Sequence, residues 1–139
     1  VQGTPIQLVR ATAAVANGGK LLTPTLLAEK TPSYVTVPAS ASALAVVREG
    51  MRQTVTSALA GALNLPYIAV AAKTGTAETG TRNQYDNSWV EGFFPYDNPQ
   101  YAFVVVLERG PPGAGGQAVN VMRELFDSLY AEKSPYIGE

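Results

Sequence analysis

The chain contains neither cysteine nor histidine. Without thiols it forms no disulfide and runs no thiolate chemistry. Without imidazole it lacks the commonest general base, and zinc or iron–sulfur ligation by these two side chains is excluded. Charge of either sign is scarce: 10 Lys and Arg against 11 Asp and Glu leave a net charge of −1, which supplies no basic field for DNA or RNA. No apolar run approaches the roughly 18 to 20 residues that a membrane span needs. No basic-then-apolar leader opens the chain at Val1. Any membrane anchoring is therefore expected from polypeptide outside this chain. Chemistry is left to Ser, Thr, Lys, carboxylates and backbone, with no metal and no cofactor expected.

Hydrophobic residues make up 46% of the 139 positions and charged residues 15%. That balance is too apolar for a disordered chain and suffices for one buried core at this length. Thr4-Pro5-Ile6-Gln7 reads as a helix start, with Thr4 as N-cap, proline at the first helical position and Gln7 closing a capping box. Leu8, Ala11 and Val15 share one face, and Asn17-Gly18-Gly19 ends the helix. Residues 20–38 carry three prolines and predict extended chain or loop. From Ser42, apolar Leu44, Val47, Met51, Val55, Ala58 and Ala62 recur every three or four residues, which predicts a helix of about four to five turns. Gly61 and Asn64-Leu65-Pro66 are expected to end it.

Three strands are expected next, over 68–77, 88–95 and 100–108, separated by turn-rich Thr79–Asn87 and Tyr96–Pro99. Connections this short imply an antiparallel meander, because a parallel return needs a crossover of a dozen or more residues. A last helix follows Gly113–Gly116, with Ala118, Met122, Leu125, Phe126 and Leu129 as its apolar stripe. The fold class is thus α+β: an antiparallel sheet with the first and last helices packed on it. Residues 131–139 are expected to fray. Trp89, Phe93, Phe94 and Phe103 are read as core, and Arg82, Asp86 and Glu91 as solvated polar residues in or beside the loop after the first strand.

The chemistry concentrates at Lys73-Thr74-Gly75-Thr76. Alternation puts Lys73 and Gly75 on one face of the first strand, with Thr74 and Thr76 on the other. A lysine, two hydroxyls and a glycine that lets another backbone approach make an anion-binding edge. Alone, a lysine guarding a sheet edge accounts for the same residues. Gly113-x-Gly115-x-x-Ala118 does not make a dinucleotide site, because no second strand or acidic ribose ligand completes a βαβ unit. Nor is Lys73-Thr74 a phosphate loop, because it lacks the glycines that such a loop requires.

The strand Lys73-Thr74-Gly75-Thr76-Ala77-Glu78 resembles the third signature motif of the penicillin-binding proteins and serine β-lactamases. Thr4 to Leu8 through Ala16-Asn17-Gly18-Gly19, then Thr23-Pro24, Arg48-Glu49-Gly50-Met51 and Asn87 to Pro95 are similar, in order, to the class B penicillin-binding protein transpeptidase domain, of the penicillin-binding protein 2 type. The resemblance covers Thr4 to about Tyr130. It implies a partial penicillin-binding transpeptidase fold and serine acyl transfer that cross-links peptidoglycan stem peptides, with β-lactam inhibitors trapping the same serine, on the outer side of the cytoplasmic membrane. It also implies roles for four residues. Lys73 is matched to the lysine that faces the substrate's carboxylate, Thr74 and Thr76 to the hydroxyls flanking Gly75, and the backbone N–H of Thr76 to one oxyanion-hole donor.

The nucleophile of that family lies in a Ser-x-x-Lys motif, and its partner motif is Ser-x-Asn. None of Ser33, Ser40, Ser42, Ser57, Ser88, Ser128 and Ser134 has Lys three residues on or Asn two residues on. The chain therefore reads as the C-terminal half of a transpeptidase domain, inactive by itself, whose partner is the missing N-terminal half. Surfaces meeting that half are expected to be exposed and apolar. The alternatives are a serine β-lactamase or D,D-carboxypeptidase relative, a non-catalytic penicillin-sensing domain, or a scaffold.

Overall fold

A computed structural model describes residues 3–57, 59–113 and 115–137. The first helix, α1 (Pro5–Ala16), begins as its local chemistry requires. The Gln7 N–H donates to the Thr4 hydroxyl at 3.4 Å, and the Thr4 N–H donates to Gln7 Oε1 at 2.9 Å. These two bonds satisfy donors that a bare helix end leaves open. At its far end Gly18 and Gly19 both take positive φ, +80° and +97°, so the chain reverses at once into β1 (Lys20–Leu22). β1 pairs antiparallel with β2 (Tyr34–Thr36) as a small ribbon beside α1.

The second helix, α2 (Ala41–Ser57), buries Leu44, Met51 and Val55. Val47, expected in that stripe, is exposed, Ala58 lies outside the described residues, and Ala62 belongs to a separate 3-10 turn, Gly61–Leu63. The helix leans instead on its arginines. The Arg48 guanidinium donates to the carbonyls of Ala16 and Tyr96, both at 3.0 Å, and lies over the ring of Phe93. Arg52 donates to the Val70 carbonyl at 2.8 Å. Each bond uses a charged donor on a backbone acceptor that no ladder satisfies, so α2 is fastened to three separate segments.

The main sheet has the order β3-β4-β5, with β3 (Ala71–Thr79), β4 (Tyr85–Phe94) and β5 (Tyr101–Gly110) all antiparallel. Relative to the sequence expectation β3 starts three residues late, β4 three residues early and β5 one residue late. The turn expected over Thr79–Asn87 is confined to Gly80–Gln84, because the ladder continues into its two ends, where Glu78–Asp86 and Thr79–Tyr85 are paired. One irregularity falls between Asp86 and Ser88, where Glu108 and Arg109 together face Asn87. Arg109 sits there at φ +58° and its N–H donates to Asn87 Oδ1 at 2.9 Å.

Helices cover both faces. Ala16, Met51, Ala71 and Phe93 form a cluster on the α1 and α2 side. On the other face Val70, Ala72, Val90, Phe94 and Phe103 pack on α3 (Gln117–Ala131) through Ala118, Val119, Met122 and Phe126. Leu125, expected in that stripe, is exposed. Phe94, Phe103 and Phe126 meet edge to face, with ring centroids 4.9 and 5.9 Å from Phe126. The segment after α3 is not a loose tail. Ile137 is buried in the same core, Tyr136 stacks edge-on against Tyr101, and the Ser134 N–H returns to the Leu129 carbonyl. Burial of Ile137, the Tyr136–Tyr101 contact and this backbone bond together oppose the fraying expected of residues 131–139. Residues 138 and 139 lie outside the described residues. Leu26, Leu27, Val35, Val46 and Leu59 stand exposed, most of them around β1, β2 and α2.

A staple joins α3 to the segment before β3. The Tyr67 hydroxyl donates to Asp127 at 2.6 Å, Asp127 pairs with Arg123 at 2.6 Å, and Arg123 donates on to the Ala62 carbonyl at 3.0 Å. Bonds from Arg123 and then Tyr67 hold the Asp127 carboxyl below the usual carboxylate range. Burial, followed by the Asp127 acceptor, pushes the Tyr67 phenol up from 10.0 to about 12. Because the folded pKa of Tyr67 is raised, its stabilisation is full below pH 10.0 and is lost as pH climbs through about 12. Asp127 has the opposite sign: its contribution is present above the ordinary carboxylate range and fades as pH falls through the lowered value. The stability advantage of the wild type over Tyr67→Phe should therefore shrink between pH 10.0 and about 12, measured as urea midpoints. A difference independent of pH would refute the coupling.

Gly92 generates a second prediction. A Cβ at this position would lie 2.3 Å from the Ala71 carbonyl oxygen and 2.6 Å from the Phe103 ring, where neither backbone nor packed ring yields cheaply. Gly92→Ala should lose about 3 kcal/mol, the upper end of over-packing penalties. Gly50 in α2 has nothing within 4 Å of its added Cβ, so Gly50→Ala should gain about 0.5–1 kcal/mol. Urea denaturation of both variants checks the pair, and equal effects would contradict it.

Candidate active site

β3 pairs with β4 along its whole length and, among the described residues, with nothing on its other side. Every second backbone N–H and C=O of such a strand points outward along the open edge. Lys73-Thr74-Gly75-Thr76 occupies the middle of that edge.

The register sorts the four side chains onto two faces, since directly opposed residues share a face. Lys73 is opposite Glu91 and Gly75 opposite Trp89, on the side of α1. Lys73 is exposed, and its ammonium donates to the Thr74 carbonyl. Glu91 accepts from the Thr12 hydroxyl at 2.7 Å, and Thr12 is itself buried in α1. Thr74 is opposite Val90 and Thr76 opposite Ser88, on the side of α3. Thr74 is half-buried and Thr76 exposed.

Gly75 needs no left-handed backbone, and a Cβ there would meet only Trp89 Cβ, at an ordinary 3.5 Å. Internal packing therefore leaves a side chain at 75 room, unlike at Gly92. What the missing side chain opens is the exposed side of the strand, where another chain can lie.

Two residues read as solvated loop have other roles. Asp86 is buried, 7% exposed, and its Oδ2 accepts the Gly113 N–H at 2.7 Å. Glu91 is a strand residue tied to α1 by Thr12. Polar character in a strand resembles loop in the sequence, whereas in the fold each carboxylate finds a donor that offsets its burial. Arg82 is exposed at the hairpin tip, at φ +60°. Trp89 is half-buried, and Phe93, Phe94 and Phe103 are buried.

Ser88, which matches neither serine motif in the sequence, is placed by the fold beside the candidate site. It is 2% exposed, and its Oγ accepts the Ala118 N–H at 3.1 Å. The available signal was period two, which places Asp86 and Ser88 on the same face as Thr74 and Thr76.

A polar cleft of about 490 Å³ lies at the hairpin end, lined by Thr79, Gln84, Asn87 and Arg109 among others, and is separate from Lys73–Thr76. No group of three or more Asp and Glu able to hold a metal ion occurs among the described residues, and no helix among them is long and apolar enough to cross a membrane. The arrangement offers one cation, two hydroxyls and a row of edge amides around a strand that can accept an extended peptide. Such a set suits a peptide ending in a carboxylate.

Comparison with known proteins agrees with this geometry. Over 163 aligned positions the chain is 31% identical to the peptidoglycan D,D-transpeptidase MrdA of Salmonella typhimurium, covering 91% of this chain and 25% of that protein. It is 32% identical to the peptidoglycan D,D-transpeptidase PbpA of Mycolicibacterium smegmatis, covering 77% of this chain and 24% of that one. The chain thus spans about a quarter of the length of the curated relatives it matches. Among solved structures, the penicillin-binding protein PBP2 of Helicobacter pylori superposes with a TM-score of 0.77 at 26% identity, covering 93% of this chain and 24% of that one. Since the family model described as the penicillin-binding protein transpeptidase domain matches residues 1–127, the chain belongs to the penicillin-binding protein transpeptidase family.

Proposed function

We propose that this chain forms the carboxylate-binding and oxyanion-stabilising edge of a serine D,D-transpeptidase that cross-links peptidoglycan stem peptides outside the cytoplasmic membrane. One observation carries the reading: Lys73, Thr74, Gly75 and Thr76 line the unpaired edge of a sheet, with the lysine exposed and the glycine not demanded by packing. The relatives named as peptidoglycan D,D-transpeptidases support it.

The chemistry follows from that edge. A stem peptide lies along β3, and its terminal carboxylate meets the Lys73 ammonium and the hydroxyls of Thr74 and Thr76. A serine Oγ from polypeptide outside this chain attacks the carbonyl carbon of the penultimate residue. The tetrahedral oxyanion is held by the Thr76 N–H and by the N–H of the nucleophile itself. Collapse expels the terminal D-alanine as its amine, with the proton delivered to that nitrogen, and leaves an ester. The amine of a second stem peptide then attacks the ester, forms the cross-link and returns the serine hydroxyl. Each oxyanion donor of this kind contributes about 2.7 to 4 kcal/mol to the transition state. A β-lactam presents a carboxylate and a strained amide to the same groups and stops at the ester.

None of the seven serines of this chain stands in the Ser-x-x-Lys pattern, so the donors here stabilise an oxyanion that another segment must create. The exposed Leu26, Leu27, Val35, Val46 and Leu59 support further polypeptide packing against this one.

Incubation with a fluorescent penicillin tests the reading. The isolated chain should take no covalent label. Joined to the segment that carries Ser-x-x-Lys, it should label, and Lys73→Ala should slow acylation about 10- to 100-fold, the worth of a charged hydrogen bond. Covalent labelling of the isolated chain, or a Lys73→Ala protein that acylates at the wild-type rate, would overturn it.

A further inference from the structure

Between β5 and α3 the chain passes through Gly113, Gly115 and Gly116, and α3 starts without a side-chain cap of its own. Its N-cap position is Gly116, at φ +93°. The cap comes from β4 instead: Ser88 Oγ accepts the Ala118 N–H at 3.1 Å, while Asp86 Oδ2 accepts the Gly113 N–H at 2.7 Å. Both acceptors are buried, at 2% and 7% exposure. Two strand residues on one face thus pin the glycine loop at both ends and hold it against the sheet.

Between the two anchors lies Gly115. Its φ is outside the left-handed region, so an L side chain is conformationally allowed. A Cβ there would meet only one heavy atom within 4 Å among the described residues, Thr76 Oγ1, at 3.2 Å. That separation is tighter than a relaxed contact, and the hydroxyl would have to give way by a few tenths of an ångström. The one visible reason for the absence of a side chain at 115 is therefore the room it leaves Thr76.

We infer that Gly115 is a specificity-determining position that sets the space around the Thr76 hydroxyl in which a substrate carboxylate is received, and that Asp86 and Ser88 are the positioning residues that hold it there. The inference rests on the reading of Lys73–Thr76 as a carboxylate-binding edge. Hydrogen bonds weaken steeply with misalignment, and displacements well below 1 Å in a reacting complex are felt in rate. A side chain at 115 thus acts on the carboxylate contact before it touches anything else. Loosening either anchor lets the loop drift and blurs the same contact.

The experiment compares acylation of the full-length protein that carries this segment by a penicillin and by the methyl ester of the same penicillin, for wild type, Gly115→Ala, Gly115→Val, Ser88→Ala and Lys73→Ala. Gly115 is exposed, so its variants are expected to fold. Gly115→Ala should slow the free acid about 10-fold and Gly115→Val about 100-fold, on the scale that small misplacements produce, with the ester rates unchanged. Ser88→Ala should show the same selectivity at about 3-fold, together with faster hydrogen exchange at the Ala118 amide, the bond it removes. Equal slowing of acid and ester, or no slowing of either, overturns the inference while Lys73→Ala still shows the carboxylate edge at work. A wild-type protein that takes no label, or a Lys73→Ala variant at wild-type rate, overturns the carboxylate reading and the inference with it.

Discussion

Hydrogen bonding between β3 and β4 runs unbroken from Ala71–Phe93 to Thr79–Tyr85. It holds β3 along its whole length from one side only. A strand held this way is rigid enough to position a ligand and still has backbone groups left to offer one. If β3 were in the middle of the sheet, both rows of amides would be consumed. If it were a loop, they would point nowhere in particular. The rest of the molecule maintains this condition. Phe93 and Ala71 are buried under α1 and α2, Val90 and Ala72 under α3, and Arg52 on α2 grips the Val70 carbonyl just before the strand begins.

Charge at the edge is arranged so that Lys73 remains available. Glu91 stands directly across from it, yet that carboxylate accepts from the buried Thr12 hydroxyl at 2.7 Å and makes no salt bridge with the lysine. An exposed pair of this kind is worth about 0 to 1 kcal/mol. A carboxylate arriving at the edge would bring the ammonium and two hydroxyls into one contact, and charged hydrogen bonds run to about 1.5 to 3 kcal/mol each. In the proposed role an incoming carboxylate thus meets an ammonium that Glu91 does not hold in an ion pair, while Glu91 supplies a negative charge nearby.

Local rules were the part of the structure most readily read from sequence. The Thr4–Gln7 capping box, the Asn17–Gly19 stop and the alternation of Lys73 and Thr74 each depend on residues within a few positions of one another. The meander also followed, because short connections leave few topologies. Strand ends were misplaced where polar residues continue the ladder, since Glu78, Asp86 and Asn87 are poor strand formers that hold their places through the ladder and long-range bonds. Arg48 and Arg52 look like solvent-facing helix residues until the carbonyls of Ala16, Tyr96 and Val70 are brought within reach. Ile137 reads as part of a tail until the core of β5 and α3 exists to receive it. For the two arginines the deciding partners are 18 to 48 residues away, and periodicity carries no information about them. The four residues of the candidate site were legible as chemistry. The loop that faces them was not, because Asp86 and Ser88 act on amides 27 and 30 residues further along.

Three glycines separate folding constraint from function. Gly92 is required by the fold, since a β-carbon would collide with the Ala71 carbonyl and the Phe103 ring. Gly75 and Gly115 are not: neither has a left-handed backbone, and neither is crowded by the core. Filling such positions would ordinarily stabilise a chain by restricting its unfolded states. Two uncrowded glycines on either side of one short stretch of strand, one in β3 and one in the loop beside Thr76, mark where the protein forgoes stability. Gly75 opens the face of β3 that carries Lys73, and Gly115 the face that carries the Thr76 hydroxyl. An edge left bare in this way, and flanked by a loop that buried acceptors hold in place, leaves the room for another backbone that the proposed role requires.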